Sequence, residues 1–340
     1  MGLVIENPRE LYGPLYDLVL NEKITDIDIN NCVVYCTDVD GRRMRVGKPL
    51  NKEFELGFVQ RIANLMQKNF NKKNPLLEAE TDTLRISILH ESVSLNGKSI
   101  SIRKSMPSMR YTKESAISEG LFSESMYEFL IKAVTVGSNF VICGPPGSGK
   151  TEFAKFLAYH IPKSERVITI EDNLEWHLSE IKKDADIVEI KVEGDEGVFT
   201  YHDAIKASLR QNPKWLMLSE TRSEEAKNLI EAWSTGIHGI TTLHTDDTAK
   251  IPERILTMIG NPIDVRRLEG QLFNEIDIGV LINRSKDEKG QSKRRIWQIR
   301  LFYRENGENK SILLADNGKW NGDLLTSDEK EILIRKGIIL

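Results

Sequence analysis

Cysteine is scarce in this chain: Cys32, Cys36 and Cys143 are all that 340 residues contain. A sparse, odd-numbered set excludes a disulfide framework and fits a reducing compartment. Cys32 and Cys36 lack further partners at metal-ligand spacing, which argues against a zinc site. Long apolar runs are missing as well. No stretch approaches the ~20 apolar residues needed to cross a bilayer. The opening "MGLVIENPRELYG" has no basic segment followed by an apolar one, so no signal peptide is expected. These absences predict a cytoplasmic protein whose membrane association, if it has one, is peripheral. Positive charge is not in excess either: the formal net charge is -4. A chain built to coat nucleic acid is usually basic, so direct nucleic-acid binding is not expected. Internal repeats and low-complexity tracts are also absent.

Apolar residues make up 40% of the chain, enough for two domains with separate cores. The first hundred or so residues alternate short strands with one helix. "TDIDIN" (Thr25 to Asn30) and "CVVYCTDVDGRRMRV" read as strands around an Asp40-Gly41 turn. "KEFELGFVQRIANLMQKNF" puts Phe54, Phe58, Ile62, Leu65 and Met66 on one helical face. "LRISILH" and "SISIRKS" alternate again. The polar "MPSMRYTKESAISEG" has little apolar periodicity and reads as a linker. From Leu121 onward, short apolar strands such as "FVICG", "VITIED", "WLMLSE" and "GITTLH" alternate with helical patterns, and Thr200 with Asp203 forms a plausible capping box. That alternation predicts a mostly parallel sheet covered on both faces. "IDIGVLINR" and "RRIWQIRLFY" read as an extra sheet, and a short helix near Asp328 to Lys336 closes the pattern.

"GPPGSGKT" carries the clearest chemistry. Gly144, Gly147 and Gly149 let backbone N–H groups turn onto phosphate oxygens with no Cβ in the way, and Pro145, Pro146 and Ser148 complete the loop. A helix starting near Lys150 adds its positive end. Lys150 reaches β/γ-phosphates and the Thr151 hydroxyl suits Mg²⁺, so the cofactors expected are ATP and Mg²⁺. Such a loop needs a carboxylate at the end of a neighbouring strand. Glu220, after the apolar "WLML", is the favoured catalytic carboxylate; the plainer reading is a glutamate that complements a helix start. In "TIEDNLE", Glu171, Asp172 and Glu175 sit at another strand end. They either orient water or metal-bound water, with Asp172 as the metal-side residue, or form a solvated turn. His244 at the end of "GITTLH" either contacts a γ-phosphate or is structural, and His238 is the weaker histidine. Arg222, Arg210, Arg85 and Arg103 are arginines suited to phosphate charge.

In this order, these pieces resemble the ATPases of type II and type IV secretion, pilus assembly and retraction, and conjugation. The resemblance covers most of the chain and is strongest from Tyr127 to Ile259. "GPPGSGKT" matches the family's Walker A, and "ITIEDNLEW" resembles its Asp box. "LRQNPKWLMLSETRSEEA" resembles its Walker B segment, and "TGIHGITTLHTDDTAKIPERI" its His box. "TDIDIN" and "SISIRKS" are similar to its N-domain strands. Asn212 and Lys214 stand where the family commonly has aspartates, Ser219 where it has glycine, and Ser223 where it has aspartate. His238 falls one place late, and the tetracysteine insert of many type II members is absent. The chain thus looks closer to the compact conjugation and type IV members.

The resemblance implies an α/β fold: a RecA-like P-loop core with a mostly parallel sheet over 121–340. A smaller α+β domain over 1–105 and a linker over 106–120 precede it. It implies ATP hydrolysis in a homo-hexamer that works with inner-membrane components of a secretion, conjugation or pilus machine. Catalytic roles fall to Glu220, Glu171, Lys150, Arg222 and His244. Arg85 and Arg103 would reach nucleotide from the N-domain, and hydrolysis would rotate the domains about 106–120. Two other classes stay open on the residues alone: a RecA-like nucleic-acid motor, and a subunit that binds nucleotide and serves as a scaffold.

Overall fold

The structure, a computed structural model, describes residues 5, 7–193, 197–223, 225–260, 264–286 and 292–338. The chain divides into two compact units, Met1–Met106 and Pro107–Leu340.

The first unit is built on a six-stranded sheet. Its strands are β1 (Ile24–Asn30), β2 (Val33–Asp38), β3 (Arg43–Arg45), β4 (Leu76–Glu80), β5 (Leu84–Leu89) and β6 (Ser99–Lys104), in the order β3-β2-β1-β6-β5-β4 with every pairing antiparallel. Period-two alternation gives the sheet one buried face, with Ile27, Ile29, Val34, Ile86, Ile88, Ile100 and Ile102. The helix Lys52–Leu65 contributes Phe58, Val59, Ile62 and Ala63 to the same core. Asn51 caps that helix by accepting from the Glu53 N–H at 2.9 Å. Leu65, expected on the buried stripe, ends the helix and is 44% exposed. The sheet's other face is polar and carries Asp26, Asp28, Arg85, Ser101 and Arg103.

The second unit is built on a nine-stranded sheet. Its strands are β7 (Phe140–Cys143), β8 (Val167–Glu171), β9 (Ile187–Lys191), β10 (Trp215–Leu218), β11 (Ile240–Leu243), β12 (Ile278–Lys286), β13 (Ser292–Glu305), β14 (Glu308–Asp316) and β15 (Lys319–Trp320). The order is β15-β14-β13-β12-β7-β11-β10-β8-β9. From β12 to β9 all neighbours are parallel, and β13 to β15 continue the sheet antiparallel. Both faces are covered, which is why strands such as "FVIC" and "WLML" are apolar at every position. Phe140, Ile142, Trp215 and Met217 pack with the helices Glu124–Thr135 and Lys150–Tyr159. Val141, Cys143, Leu216 and Leu218 pack on the opposite side with Tyr201–Ser208, Glu225–Trp233 and Ile251–Ile259. Thr200 and Asp203 form the capping box that starts Tyr201–Ser208.

Two sequence expectations need correction. The linker expected over 106–120 is not a free connector: Met106 ends the first unit and Pro107 onward belongs to the second. Thr112 and Ser115 form a capping box that starts the helix Lys113–Ser118, and Tyr111 and Ala116 are buried in the second unit's core. The segment reads as polar because only a few of its side chains point inward. "IDIGVLINR" and "RRIWQIRLFY" likewise do not form a separate sheet: β12 pairs with β7, joining Ile278 to Phe140 and Leu281 to Cys143. Ile299 on β13 is fully buried in the core shared with the helix that follows the glycine-rich loop. Ile299→Ala should therefore lower unfolding free energy by about 2–5 kcal/mol. Urea denaturation measures it, and a loss below about 0.5 kcal/mol, the range of surface substitutions, would show that β13 is peripheral.

Candidate functional site

Parallel strands that share a sheet end on the same edge, and chemistry collects at their C-terminal ends. Here β7 runs into Gly144–Thr151, β11 into His244, β10 into Ser219–Arg222, and β8 ends on Glu171 and Asp172. These strands lie side by side in the order β7-β11-β10-β8, although their chain order is β7, β8, β10, β11.

The glycine-rich loop leaves β7 and enters the helix Lys150–Tyr159. Gly144, Gly147 and Gly149 have φ of 145°, 70° and 97°, a region open to glycine and strained for other residues. A methyl group added at Gly144 would collide with the Ile282 carbonyl oxygen and lie 2.9 Å from Ser148 Oγ. The Pro145 carbonyl accepts from the Ser148 N–H at 3.2 Å, which tightens the loop. The Lys150 ammonium donates to the carbonyl oxygens of Gly144 at 3.1 Å and Pro145 at 3.3 Å. Burial pulls the Lys150 pKa below the usual lysine value, and the Glu220 carboxylate opposes that shift. Thr151 is half-buried in the first helical turn.

From Lys150 a connected row of polar contacts follows the strand order. His244 Nδ1 lies 3.2 Å from Lys150 Nζ and 3.1 Å from the Gly144 carbonyl oxygen. His244 Nε2 lies 2.8 Å from Glu220 Oε1. With Nε2–H donating to the carboxylate, Nδ1 accepts from Lys150, and the Gly144 carbonyl takes its hydrogen bond from the Lys150 ammonium and not from the imidazole. Glu220 Oε2 accepts from Arg222 Nη2 at 2.7 Å, and Arg222 Nη1 donates to Asp172 Oδ2 at 3.0 Å. Its hydrogen bond to Glu220 holds the Arg222 pKa above even the usual guanidinium value. The row thus joins Lys150, His244, Glu220, Arg222 and Asp172.

Backbone anchors hold the Glu220 segment. The Ser219 N–H donates to the Ile170 carbonyl at 3.2 Å, and the Ser219 carbonyl accepts from Thr242 Oγ1 at 2.7 Å. Thr221 Oγ1 is 2.6 Å from Thr241 Oγ1, and the Thr221 N–H donates to the Thr242 carbonyl at 2.8 Å. The buried Glu225 carboxylate accepts from the Arg222 and Ser223 N–H groups and so shapes the turn after Glu220. The Asp172 N–H donates to Tyr201 Oη at 3.1 Å. Thr241, Thr242, Glu225 and Tyr201 were not singled out in the sequence. The visible signal was the threonine pair in the middle of an otherwise apolar strand.

Several expected residues stand elsewhere or act differently. Glu171 is 1% exposed. Its Oε1 accepts from the N–H groups of Glu175 at 3.2 Å and Trp176 at 3.1 Å, so it braces the following loop and does not face solvent as a base. Asp172, expected on the metal side, gives Oδ2 to Arg222. Arg210 is exposed in the turn Leu209–Gln211, ahead of β10, at the opposite end of that strand from Glu220. Arg85 and Arg103 are paired directly across β5 and β6 on the polar face of the first unit's sheet. His238 packs its ring 5.3 Å from that of Trp215 at the start of the strands, a structural position.

Comparison with known proteins adds to this geometry. A family model described as "Type II/IV secretion system protein" matches residues 76–278. An uncharacterised protein of Bacillus anthracis is 28% identical over 265 residues, covering 77% of this chain and 59% of that protein. The type IV secretion system protein VirB11 of Bartonella henselae is 26% identical over 315 residues, covering 80% of this chain and 87% of that protein. The solved structure of the Yersinia pseudotuberculosis ATPase DotB has a TM-score of 0.64 at 15% identity, over 100% of this chain and 93% of that one, a likeness of fold.

Burial raises the Glu171 carboxyl well above the usual carboxylate range. The folded protein therefore keeps this proton at pH values where the unfolded chain has released it. Its stabilising contribution is complete below the ordinary value of 4.5 and is lost as pH rises through the folded value. Glu171→Gln keeps the acceptor oxygen and has no proton to lose. In melting curves from pH 4.5 up to the folded value, the variant should gain on the wild type by about 1.4 kcal/mol for each step of one in pH. Parallel curves would remove the buried, protonated carboxyl.

Proposed function

The chain belongs to the type II/IV secretion system protein family, and from that premise we propose that it hydrolyses ATP with a RecA-like P-loop core in its second unit. The single observation that carries this reading is the continuous row from Lys150 through His244 to Glu220. It ties the lysine of a phosphate-type loop to a strand-end carboxylate, the two groups that phosphoryl transfer to water requires.

Gly144–Thr151 would cradle the polyphosphate with backbone N–H groups, the loop shape that its positive-φ glycines permit. Lys150 would exchange its contacts with the Gly144 and Pro145 carbonyls for phosphate oxygens, a stronger charge-assisted partner. Mg²⁺, bound with the nucleotide, supplies charge neutralisation at the phosphates, and Thr151 is the residue that would hold it. Glu220 would take the proton of the attacking water. His244 Nε2 and Arg222 steady its two oxygens, and His244, in contact with both Lys150 and Glu220, would register the γ-phosphate. Asp172 would orient Arg222, while Glu171 would shape the loop from within. Arg85 and Arg103, exposed and adjacent, are proposed as the phosphate-seeking cations of the first unit.

The names of the relatives support an export role. We place the chain as a homo-hexamer at the inner face of a membrane, working with the membrane components of a secretion, conjugation or pilus machine. Among the described residues no helix is long and apolar enough to cross a membrane, which suits a peripheral subunit.

Lys150→Ala should weaken ATP binding about 10- to 100-fold, the loss of a charge-assisted hydrogen bond worth ~1.5–3 kcal/mol. Glu220→Gln should bind ATP normally and turn over about 10²–10⁴-fold more slowly, the usual contribution of a general base. Binding titrations and phosphate release measure both; wild-type turnover in Glu220→Gln would remove this carboxylate from the chemistry. ATPase activity per subunit should fall on dilution, because a shared assembly depends on association. A rate independent of concentration, in a protein that sediments as a monomer, would count against the hexamer.

A further inference from the structure

The hairpin of β12 and β13 brings two arginines to the phosphate loop that neither the motifs nor the family match assigns. β12 is hydrogen-bonded in parallel to β7, with Leu281 opposite Cys143. The residue after each meets the other: the Ile282 carbonyl closes on Gly144. Two residues further, Arg284 stands directly opposite Arg294 of β13. A methyl group at Gly147 would lie 3.6 Å from Arg284 Nη2. One at Gly149 would lie 2.9 Å from Arg294 Cδ, 3.2 Å from Arg294 Nε and 3.9 Å from Tyr111 Oη. Both guanidinium groups therefore flank the same three-residue stretch of loop.

Like charges directly opposite in an antiparallel pair repel. The Lys150 ammonium and the positive end of the helix Lys150–Tyr159 add to the same local field. A polyanion laid in the loop would be drawn to that field, and guanidinium forks match phosphate oxygens in geometry as well as charge.

We infer that Arg284 and Arg294 form a second phosphate-binding element beside the loop, one that grips the α/β-phosphates of a nucleoside diphosphate or triphosphate. The inference rests on the reading of Gly144–Thr151 as a nucleotide site. It selects the α/β-phosphates because the loop amides face those groups while the lysine reaches the β/γ-phosphates. Holding the part of the nucleotide that survives hydrolysis, the pair retains ADP as firmly as ATP.

The test titrates ADP and ATP separately into the full-length protein at two salt concentrations. Wild type, Arg284→Gln/Arg294→Gln and Arg294→Lys are compared, with nucleotide-free melting curves as the check on folding. The double variant should bind ADP and ATP more weakly by the same factor, about 10- to 100-fold, the range of ~1.5–3 kcal/mol for hydrogen bonds to charged groups, with a shallower salt dependence. Arg294→Lys keeps the charge and loses the fork, and should bind both roughly threefold or more weakly. If the double variant does not fold, that single variant decides. Unchanged ADP affinity, or a loss confined to ATP, overturns the inference and leaves the proposed ATPase standing. A wild-type protein that binds neither nucleotide overturns both.

Discussion

Backbone hydrogen bonds hold β7, β11, β10 and β8 side by side and parallel, with Leu243 opposite Cys143, Thr241 opposite Leu218 and Ile170 opposite Leu218. Everything at the candidate site depends on that ladder. Each strand leads to one or two polar groups beyond its C-terminal end, and neighbouring strands lie about 5 Å apart, within reach of one another. The contacts Lys150 to His244 to Glu220 to Arg222 to Asp172 follow strand neighbours step by step.

The ladder can be that exacting because both faces of the sheet are buried. Phe140, Trp215, Leu216 and Ile240 are fully buried, so no strand can slip without moving apolar side chains out of a packed core. Hydroxyl groups then do locally what the ladder does globally. The Thr242 hydroxyl holds the Ser219 carbonyl, the Thr241 hydroxyl holds the Thr221 hydroxyl, and Glu225 satisfies the N–H groups of the turn beyond. The polar row itself alternates in charge and proton demand, which lets it sit half-buried at modest cost. Preorganised charge of this kind suits a reaction whose difficulty is electrostatic.

The C-terminal strands belong to the same construction. β12 extends the parallel ladder across β7, and its Ile282 carbonyl leaves no room for a side chain at Gly144. The loop is therefore shaped from two sides: by its own positive-φ glycines and by a hairpin more than a hundred residues away in the chain. Glu171 shows a different use of burial. Its Oε1 accepts from the backbone N–H groups of Glu175 and Trp176 inside the protein, so the acid that joins the polar row at this strand end is the half-buried Asp172.

Local pattern was enough to identify the glycine-rich loop, the capping box of Thr200 and Asp203, the apolar strands and the strand-end acids, because each depends on residues within a few positions of one another. Glu220, His244 and Arg222 were legible as candidates for the same reason. Pattern could not distinguish Glu171 from Asp172, since adjacent residues on a strand point to opposite sides and only packing says which side is interior. It read 106–120 as a linker, whereas from Pro107 a few inward side chains tie the segment into the second unit's core. It missed Arg284, Arg294 and the union of the C-terminal strands with the main sheet, and it offered Arg210 a place at the far end of β10. The amino-acid sequence by itself determined which elements form and which residues have suitable chemistry. Only the tertiary structure decided which of them meet, because the strand order β7-β11-β10-β8 is set by long-range pairing, and spacing along the chain carries no record of it.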